Sequence, residues 1–210
     1  QRKNDVVEKL RSGIEQLIRA NKIDLYSANG SVVSPHEVLL DDAEQTRLSG
    51  EHILIATGSV PARPPIPGLD LPNVVTSDEL LEGEDCSRNL AKEILIIGGG
   101  VIGVEFASVF SSFGCKVTIV EALERILPTM DWEISQNLSM ILKKRGIEIH
   151  TGSMVEKIEQ GENGLVCCFT EKGKQQQVTA EQVLVAIGRR ANTQGLFGEN
   201  FSVECERGRI

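Results

Sequence analysis

The chain has 210 residues, which is enough for one large or two small domains with hydrophobic cores. It carries 22 Lys and Arg against 30 Asp and Glu, and the formal net charge of −8 argues against a general nucleic-acid binder. It has neither a signal-peptide core at its start nor an apolar stretch long enough to cross a bilayer. We therefore expect a soluble, cytoplasmic protein with no membrane partner.

The cysteines and histidines do not form a recognisable metal or redox pattern. The five cysteines lack the spacing of a zinc site or a dithiol and are predicted to be mostly buried and inert. They are Cys86, Cys115, Cys167, Cys168 and Cys205. The three histidines are scattered along the sequence. We accordingly predict no metal site and no catalytic residue within this chain.

The first third of the chain predicts a helix followed by a small sheet. Residues 6–22 place Leu10, Ile14 and Leu17 on one helical face with charges opposite. Residues 23–57 alternate in short runs separated by turn signals, which predicts a β-meander that ends in a buried strand at 52–57. A proline-rich connector follows at 58–73 and is the best candidate for a domain boundary.

Beyond the connector the elements alternate between helix and strand. A short helix opens at 76–81 with Thr76 or Ser77 as its N-cap and precedes an apolar strand at 93–97, and further helices are predicted near 101–113 and 131–145. Strands between and after these helices, with hairpins from 154 to 180, complete a β-α-β-α-β order. This order is typical of an α/β, doubly wound, Rossmann-like dinucleotide-binding domain with a parallel sheet and an added β-meander.

A glycine-rich turn lies between the strand at 93–97 and the next helix. Gly98, Gly100 and Gly103 match G-x-G-x-x-G, in which the glycines allow a sharp turn, a close approach to a pyrophosphate and close packing of helix on strand. Unpaired amides at the helix start would bind phosphates. Glu121 ends the next strand, 23 residues beyond Gly98, where a carboxylate binds ribose hydroxyls. A purely structural turn is the alternative interpretation.

Glu121 also bears on the choice of cofactor. A carboxylate repels the 2′-phosphate of NADP, and the following residues offer only Arg125 as a nearby cation. The sequence therefore favours NAD.

Four motifs in order resemble a known family. They are "ATGSVPARPPIPG", "GGGVIGVEFA", "VTIVEALERILP" and "LVAIGRRANT". Together they resemble the flavin-dependent pyridine nucleotide-disulfide oxidoreductases, most closely the dihydrolipoamide dehydrogenases. The resemblance implies a partial FAD-binding domain at 1–75 (helix plus β-meander), an NAD-binding domain at 76–195, and a tail at 196–210 that leads to a missing C-terminal part.

The same resemblance implies which residues contact the cofactors. For NAD it implies the adenosine ribose at Glu121, the adenine edge at Val155, the nicotinamide end at Gly188, and the pyrophosphate and nicotinamide side along the glycine-rich turn and the helix after it. The residues of that turn and helix are Gly98, Gly99, Gly100, Val101, Ile102, Gly103 and Glu105. For FAD it implies Thr57, Gly58 and Ser59.

Several features of the family are absent. The N-terminal FAD fingerprint, the CxxxxC redox pair, the later flavin motif and the C-terminal His-Glu pair do not occur in this sequence. We expect an internal fragment that binds NAD(H) but is inactive alone. The resemblance implies that its parent is an FAD enzyme that oxidises dihydrolipoamide with NAD, acts on a lipoyl-bearing protein and forms a homodimer.

Two other interpretations stay open. One is the NAD-binding part of another flavoprotein disulfide reductase or of an NADH oxidase. The other is a stand-alone nucleotide-binding module.

Overall fold

A computed structural model describes residues 2–82, 90–206 and 208–210 of the chain. The chain forms two compact units, one made of residues 1–57 with 193–210 and the other of residues 58–192. The domain boundaries predicted near 75 and 195 are assignments of function and stay predictions. Cys86 lies outside the described residues.

The first unit combines one helix with a small antiparallel sheet in the order β1-β2-β3. Its elements are α1 (Arg2–Ala20), β1 (Gly30–Ser34), β2 (Glu37–Leu40) and β3 (Arg47–Ser49). The returning segment of the chain joins this sheet at Val32, whose amide donates to the carbonyl of Leu196 at 2.8 Å and whose carbonyl accepts from the amide of Gly198 at 3.0 Å.

The buried strand predicted at 52–57 is not formed. The described sheet of the first unit ends at β3, residues 52–57 belong to none of the described strands, and Leu54 is 91% exposed. Residues 53–56 are a short run of apolar side chains, which is typical of a buried strand. However, a strand exists only where a neighbour accepts its hydrogen bonds, and an apolar run in the sequence does not reveal whether such a neighbour is present.

The second unit is built on a parallel five-stranded sheet in the order β5-β12-β6-β7-β8. Its strands are β5 (Val74–Thr76), β6 (Glu93–Ile97), β7 (Lys116–Val120), β8 (Glu148–His150) and β12 (Gln182–Val185). Its helices are α2 (Ser77–Glu82), α3 (Val101–Ser112) and α4 (Trp132–Lys144). An antiparallel three-stranded sheet contains β9 (Ser153–Gly161), β10 (Gly164–Glu171) and β11 (Lys174–Ala180), and β4 (Ser59–Pro61) pairs with β13 (Arg189–Ala191).

Residues 94–97 of the central strand β6 are all apolar because both faces of the strand are covered. Ile94 and Ile96 belong to a core that includes Phe110 of α3 and Leu142 of α4. Leu95 and Ile97 point to the opposite face and belong to a second core, with residues of the β9-β10-β11 sheet such as Phe169. Since successive side chains of a strand alternate between faces, two cores require an uninterrupted apolar run.

The second unit therefore has the predicted fold, a mixed α/β, Rossmann-like arrangement with a parallel sheet. The covering of its second face by an antiparallel sheet matches the predicted hairpins at 154–180. Within the described ranges, no helix combines the length and the apolar character that a bilayer crossing requires.

Candidate nucleotide-binding site

The turn between β6 and α3 and the first turn of α3 together contain four glycines, and neighbouring atoms occupy the Cβ position of three of them. Gly98 has φ +109, and a Cβ atom there would lie 2.4 Å from the carbonyl oxygen of Ala186. A Cβ on Gly103 would lie 2.0 Å from the oxygen of Gly98, and one on Gly99 would lie 2.8 Å from Cγ2 of Ile126. These contacts bring α3 close to the carboxyl ends of β6 and β12.

Gly100 differs from the other three glycines. A Cβ atom at this position would meet nothing within 4 Å, and its φ of −72° suits any residue. It is the N-cap of α3 and provides no side-chain hydrogen bond to the first turn. The first amides of an α-helix have no partner within the helix, so this end of α3 offers N–H groups beside open space.

Glu121 lies directly after β7 and is 8% exposed. Its Oε2 accepts from the backbone amide of Gly99, and its Oε1 accepts from the amide of Leu123 at 2.7 Å. The carboxylate therefore connects the glycine-rich turn to the loop after β7. Each oxygen retains acceptor capacity for another donor, such as a hydroxyl group.

A pocket of about 330 Å³ lies at the carboxyl ends of β6, β7 and β12. Five of the predicted cofactor-binding residues line it: Gly100, Val101, Ile102, Glu121 and Gly188. The other lining residues were not predicted: Leu123, Pro128, Ala186, Ile187 and Arg189. Gly98, Gly99 and Gly103 are not among its lining residues, and they allow the close packing of the turn and of α3.

The residues from Ala186 to Arg189 follow β12, which pairs with β6 on the side opposite β7. Carboxyl ends of adjacent parallel strands meet at one edge of the sheet, where ligands of such folds bind. The strand order β12-β6-β7 places the residues after β12 in the wall of the pocket. A single sequence does not reveal the order in which its strands pair, so Ala186, Ile187 and Arg189 could not be assigned to the pocket from the sequence.

The remaining predicted residues do not line this pocket. Glu105 lines a neighbouring groove of about 650 Å³ that shares Ile102 and Arg189 with it. Val155 is 7% exposed and packs in the core between the two sheets. Thr57 belongs to the first unit, and Gly58 and Ser59 begin the second.

Ser59 contacts the pocket wall indirectly, through Arg189. Its Oγ accepts from Nε of Arg189 at 2.8 Å, and its carbonyl accepts from Nη2 at 2.6 Å. The carbonyl oxygen of Gly58 accepts from the amide of Asn192 at 3.0 Å. Both residues thus hold the strand that follows the pocket.

The described thiols take no part in the pocket. Cys115, Cys167 and Cys168 are buried, and Cys205 is exposed. Burial raises the pKa of the Cys167 thiol to about 12, and it also raises the pKa of Cys115. Within the ranges that the structure covers, no His, Cys, Asp and Glu side chains cluster as a metal site would require.

Comparison with known proteins agrees with the fold. The pyridine nucleotide-disulphide oxidoreductase family matches residues 1–210. Dihydrolipoyl dehydrogenase of Acholeplasma laidlawii is 40% identical over 213 residues and covers 100% of this chain, which covers 60% of that protein. A dihydrolipoyl dehydrogenase of Bacillus subtilis is 38% identical over 224 residues, with 100% of this chain and 46% of the relative covered.

A solved structure gives the same result. The HOCl-induced flavoprotein disulfide reductase from Escherichia coli superposes with a TM-score of 0.84 at 34% identity, over 99% of this chain and 46% of that one. The chain spans about half the length of the relatives it matches. On the match over its whole length, the chain belongs to the pyridine nucleotide-disulphide oxidoreductase family.

Proposed function

We propose that this chain is the NAD(H)-binding portion of an FAD-dependent dihydrolipoyl dehydrogenase. In the whole protein, dihydrolipoamide on a lipoyl-bearing partner would be oxidised with NAD as the acceptor, in a homodimer. The 210-residue chain alone would bind nucleotide without catalysing the reaction. FAD, when bound, supplies the relay of electrons between a dithiol and the nicotinamide.

The observation that carries the proposal is the open space at Gly100. Packing requires glycine at positions 98, 99 and 103, but it leaves room for a side chain at Gly100. A glycine that packing does not require, at the amino end of a helix, is explained if a diphosphate approaches the backbone there. The residues present therefore fit a dinucleotide, with the diphosphate over Gly98 to Ile102.

The rest of the cofactor would extend to both sides of this turn. Glu121 would accept hydrogen bonds from the adenosine ribose, and Gly188 would lie at the nicotinamide end, toward which Glu105 faces from the neighbouring groove. The buried side chain of Val155 leaves mainly its backbone for contact with adenine. Thr57, Gly58 and Ser59 would contact FAD in the whole protein.

The contacts of Arg125 support the choice of NAD over NADP as the cofactor. Its Nη2 donates to the carbonyls of Pro128 at 3.0 Å and Met130 at 3.3 Å, so the guanidinium stabilises the loop before α4. Arg125 is also not among the residues that line the pocket. The buried carboxylate of Glu121 would then repel a 2′-phosphate.

Calorimetric titration of the chain with NADH, NADPH and FAD tests the proposal. We expect NADH to bind roughly tenfold or more tightly than NADPH, because a like-charge contact costs on the order of 1.4 kcal/mol or more. We expect no tight binding of FAD. Tighter binding of NADPH, or binding of neither nucleotide, would contradict the proposal.

A different disulfide reductase is the second candidate, favoured by the likeness to the E. coli enzyme. It would share the nucleotide site and differ in substrate. Assay of the longer protein with dihydrolipoamide separates the two, since a reductase of another disulfide would turn over NADH without oxidising dihydrolipoamide. A stand-alone nucleotide-binding module would bind NADH equally well, and a longer protein without flavin would support it.

A further inference from the structure

Arg189 is the one cation among the described residues that line the pocket, and it also lines the groove beside it. It follows Gly188 directly, at the side of the pocket away from Glu121. If the adenosine ribose lies at Glu121, the nicotinamide ring lies on the Arg189 side of the diphosphate. The charge of Arg189 therefore acts on the end of the cofactor that changes charge on reduction.

Asp78 fixes this guanidinium. Nη1 of Arg189 donates to Oδ1 of Asp78 at 2.8 Å, and Nη2 donates to Oδ2 at 3.2 Å. With the two bonds to Ser59, the planar guanidinium is held from both α2 and β4. A bidentate pair of this kind fixes direction as well as distance. The hydrogen bonds between the two side chains lower the pKa of Asp78 and raise the pKa of Arg189, which favours the charged form of each group.

The position of Asp78 is itself fixed by the start of α2. The side chain of Glu79 accepts from the backbone amide of Thr76 at 2.7 Å, while Oγ1 of Thr76 accepts from the amide of Glu79 at 3.4 Å. This reciprocal pair is a capping box. Glu79 also binds Arg63 at 2.7 Å, so its carboxylate has a cationic partner other than Arg189.

We propose that Asp78 is a positioning residue that cancels the charge of Arg189 beside the nicotinamide and thereby sets the relative affinity for oxidised and reduced cofactor. The inference rests on the proposed function. The oxidised nicotinamide ring carries a positive charge and the reduced ring carries none. An uncompensated guanidinium at this end disfavours the oxidised form alone.

The ratio of the two affinities isolates this effect. Both forms carry the same diphosphate and the same adenosine, so a general loosening of the site changes both dissociation constants together. Only a change of charge near the nicotinamide changes their ratio. The dissociation constant of NADH is measured by its fluorescence, and that of the oxidised form by competition, at one fixed pH and salt concentration.

In Asp78→Asn we expect the ratio of the NAD⁺ to the NADH dissociation constant to rise on the order of two- to fivefold. The separate variant Asp78→Glu, which keeps a carboxylate at this position, should have a ratio close to that of the wild type. Arg189→Gln should shift the ratio in the opposite direction, because it leaves the carboxylate uncompensated, and it keeps the test decisive where Asp78→Asn fails to fold. Glu79→Gln is the matched control: it removes a neighbouring charge that pairs with Arg63, while the glutamine carbonyl can still accept from the amide of Thr76 and so keep the capping box that positions Asp78. It should leave the ratio unchanged.

The outcomes separate the two proposals. A wild-type chain that binds neither form would overturn the proposed function and this inference with it. A wild-type chain that binds both forms, with ratios unchanged in Asp78→Asn and Arg189→Gln, would overturn the inference alone. If the ratio of dissociation constants rose as much in Glu79→Gln as in Asp78→Asn, the inference would also be overturned, because the effect would then not depend on the partner of Arg189.

Discussion

The four glycines between the end of β6 and the first turn of α3 serve different purposes. Gly98, Gly99 and Gly103 are glycines because neighbouring atoms occupy the space of a Cβ, whereas at Gly100 that space is open. A substitution at one of the first three glycines lowers the stability of the fold. A substitution at Gly100 instead lowers the affinity for a ligand that occupies the open space. Substitution by alanine can therefore separate folding from binding within six residues.

We expect the unfolding free energy of Gly100→Ala to lie within about 1 kcal/mol of the wild-type value, because the backbone angles at this position suit alanine and no atom blocks the methyl group. Its affinity for NADH should fall at least about tenfold, since the methyl group would occupy the approach of the diphosphate. Gly103→Ala, the matched control, should lose about 2 kcal/mol or more through overpacking against Gly98. Urea unfolding and NADH titration measure both, and unchanged NADH affinity in Gly100→Ala would contradict the placement of the diphosphate.

The thiols give a second prediction at this scale. A thiolate is the reactive form, and burial raises the pKa of Cys167 to about 12. In the folded protein, iodoacetamide should alkylate Cys205 while sparing Cys115, Cys167 and Cys168, and all four should react in denaturant. Mass spectrometry of the digested protein reads out each position. Rapid alkylation of Cys167 under native conditions would show that the second core opens readily.

Sequence patterns identified part of the candidate site. The spacing of the glycines and of Glu121 predicts that they lie near one another, because these residues follow consecutive elements joined by one crossover, and Gly100 and Glu121 do line one pocket. Their binding of a nucleotide stays a prediction. Arg189 and Ile187 were not recognised as parts of the pocket, since they come from a strand that is distant in sequence and adjacent in space. The second role of Glu121, accepting from the amides of Gly99 and Leu123, requires knowledge of the loop geometry.

At the scale of elements, the short helix α2 connects several parts of the second unit. Asp78 binds Arg189 of β13, and Glu79 binds Arg63 and caps the helix. Hydrogen bonds to Arg189 lower the pKa of Asp78, and hydrogen bonds to the amide and hydroxyl of Thr76, with the nearby Arg63, lower that of Glu79. Two consecutive carboxylates are thus more acidic in the folded chain than in the unfolded one.

A pH dependence of stability follows from these two groups. Because both pKa values are depressed on folding, their contribution is fully present above the ordinary values of 3.8 and 4.5 and is lost as the pH falls through the folded values. The double variant Asp78→Asn, Glu79→Gln should therefore show a smaller loss of unfolding free energy between about pH 6 and about pH 3 than the wild type. Urea unfolding at several pH values measures this. Parallel curves for the two proteins would show that the pairs contribute nothing to acid stability.

Helices and strands were predicted correctly where the spacing of apolar residues in the sequence matched the faces that the fold buries. The apolar run of β6 and the amphipathic pattern of α4 each have one structural solution in a sheet covered on both faces. The apolar run at 52–57 predicts a strand in the same way, yet it forms none, because strand pairing depends on a partner strand that the local sequence does not contain.

At the scale of the whole molecule, the net charge of −8 opposes the binding of an anion. The proposed site meets this difficulty with backbone amides rather than free cations, since Arg189 is already paired with Asp78. Salt screens charges in water but has little effect on hydrogen bonds from a helix terminus to a phosphate in contact with it.

We therefore expect NADH affinity to stay within about twofold, or to increase slightly, when NaCl is raised from about 0.05 M to about 0.3 M. Screening of the negative protein offsets any weakening of local attraction. Titrations at several salt concentrations measure this directly. A severalfold loss of affinity would indicate that exposed lysines or arginines hold the nucleotide instead.

The apolar face of α1 gives the last prediction. The helix has no buried residue, and five apolar side chains along it are 49–65% exposed. They are Val6, Val7, Leu10, Ile14 and Leu17. A continuous apolar row of this kind promotes association, so the sedimentation coefficient of the 210-residue chain should rise with concentration between about 5 and 200 µM.

Substitution on α1 tests the origin of that rise. The double variant Leu10→Gln, Leu17→Gln keeps the net charge and interrupts the row, and its sedimentation coefficient should become nearly independent of concentration. Phe113→Gln is the control, because it removes a side chain that is 68% exposed but belongs to the other unit. If the control abolished association as fully as the double variant, or if the wild type sedimented as a monomer throughout, α1 would not be the associating surface.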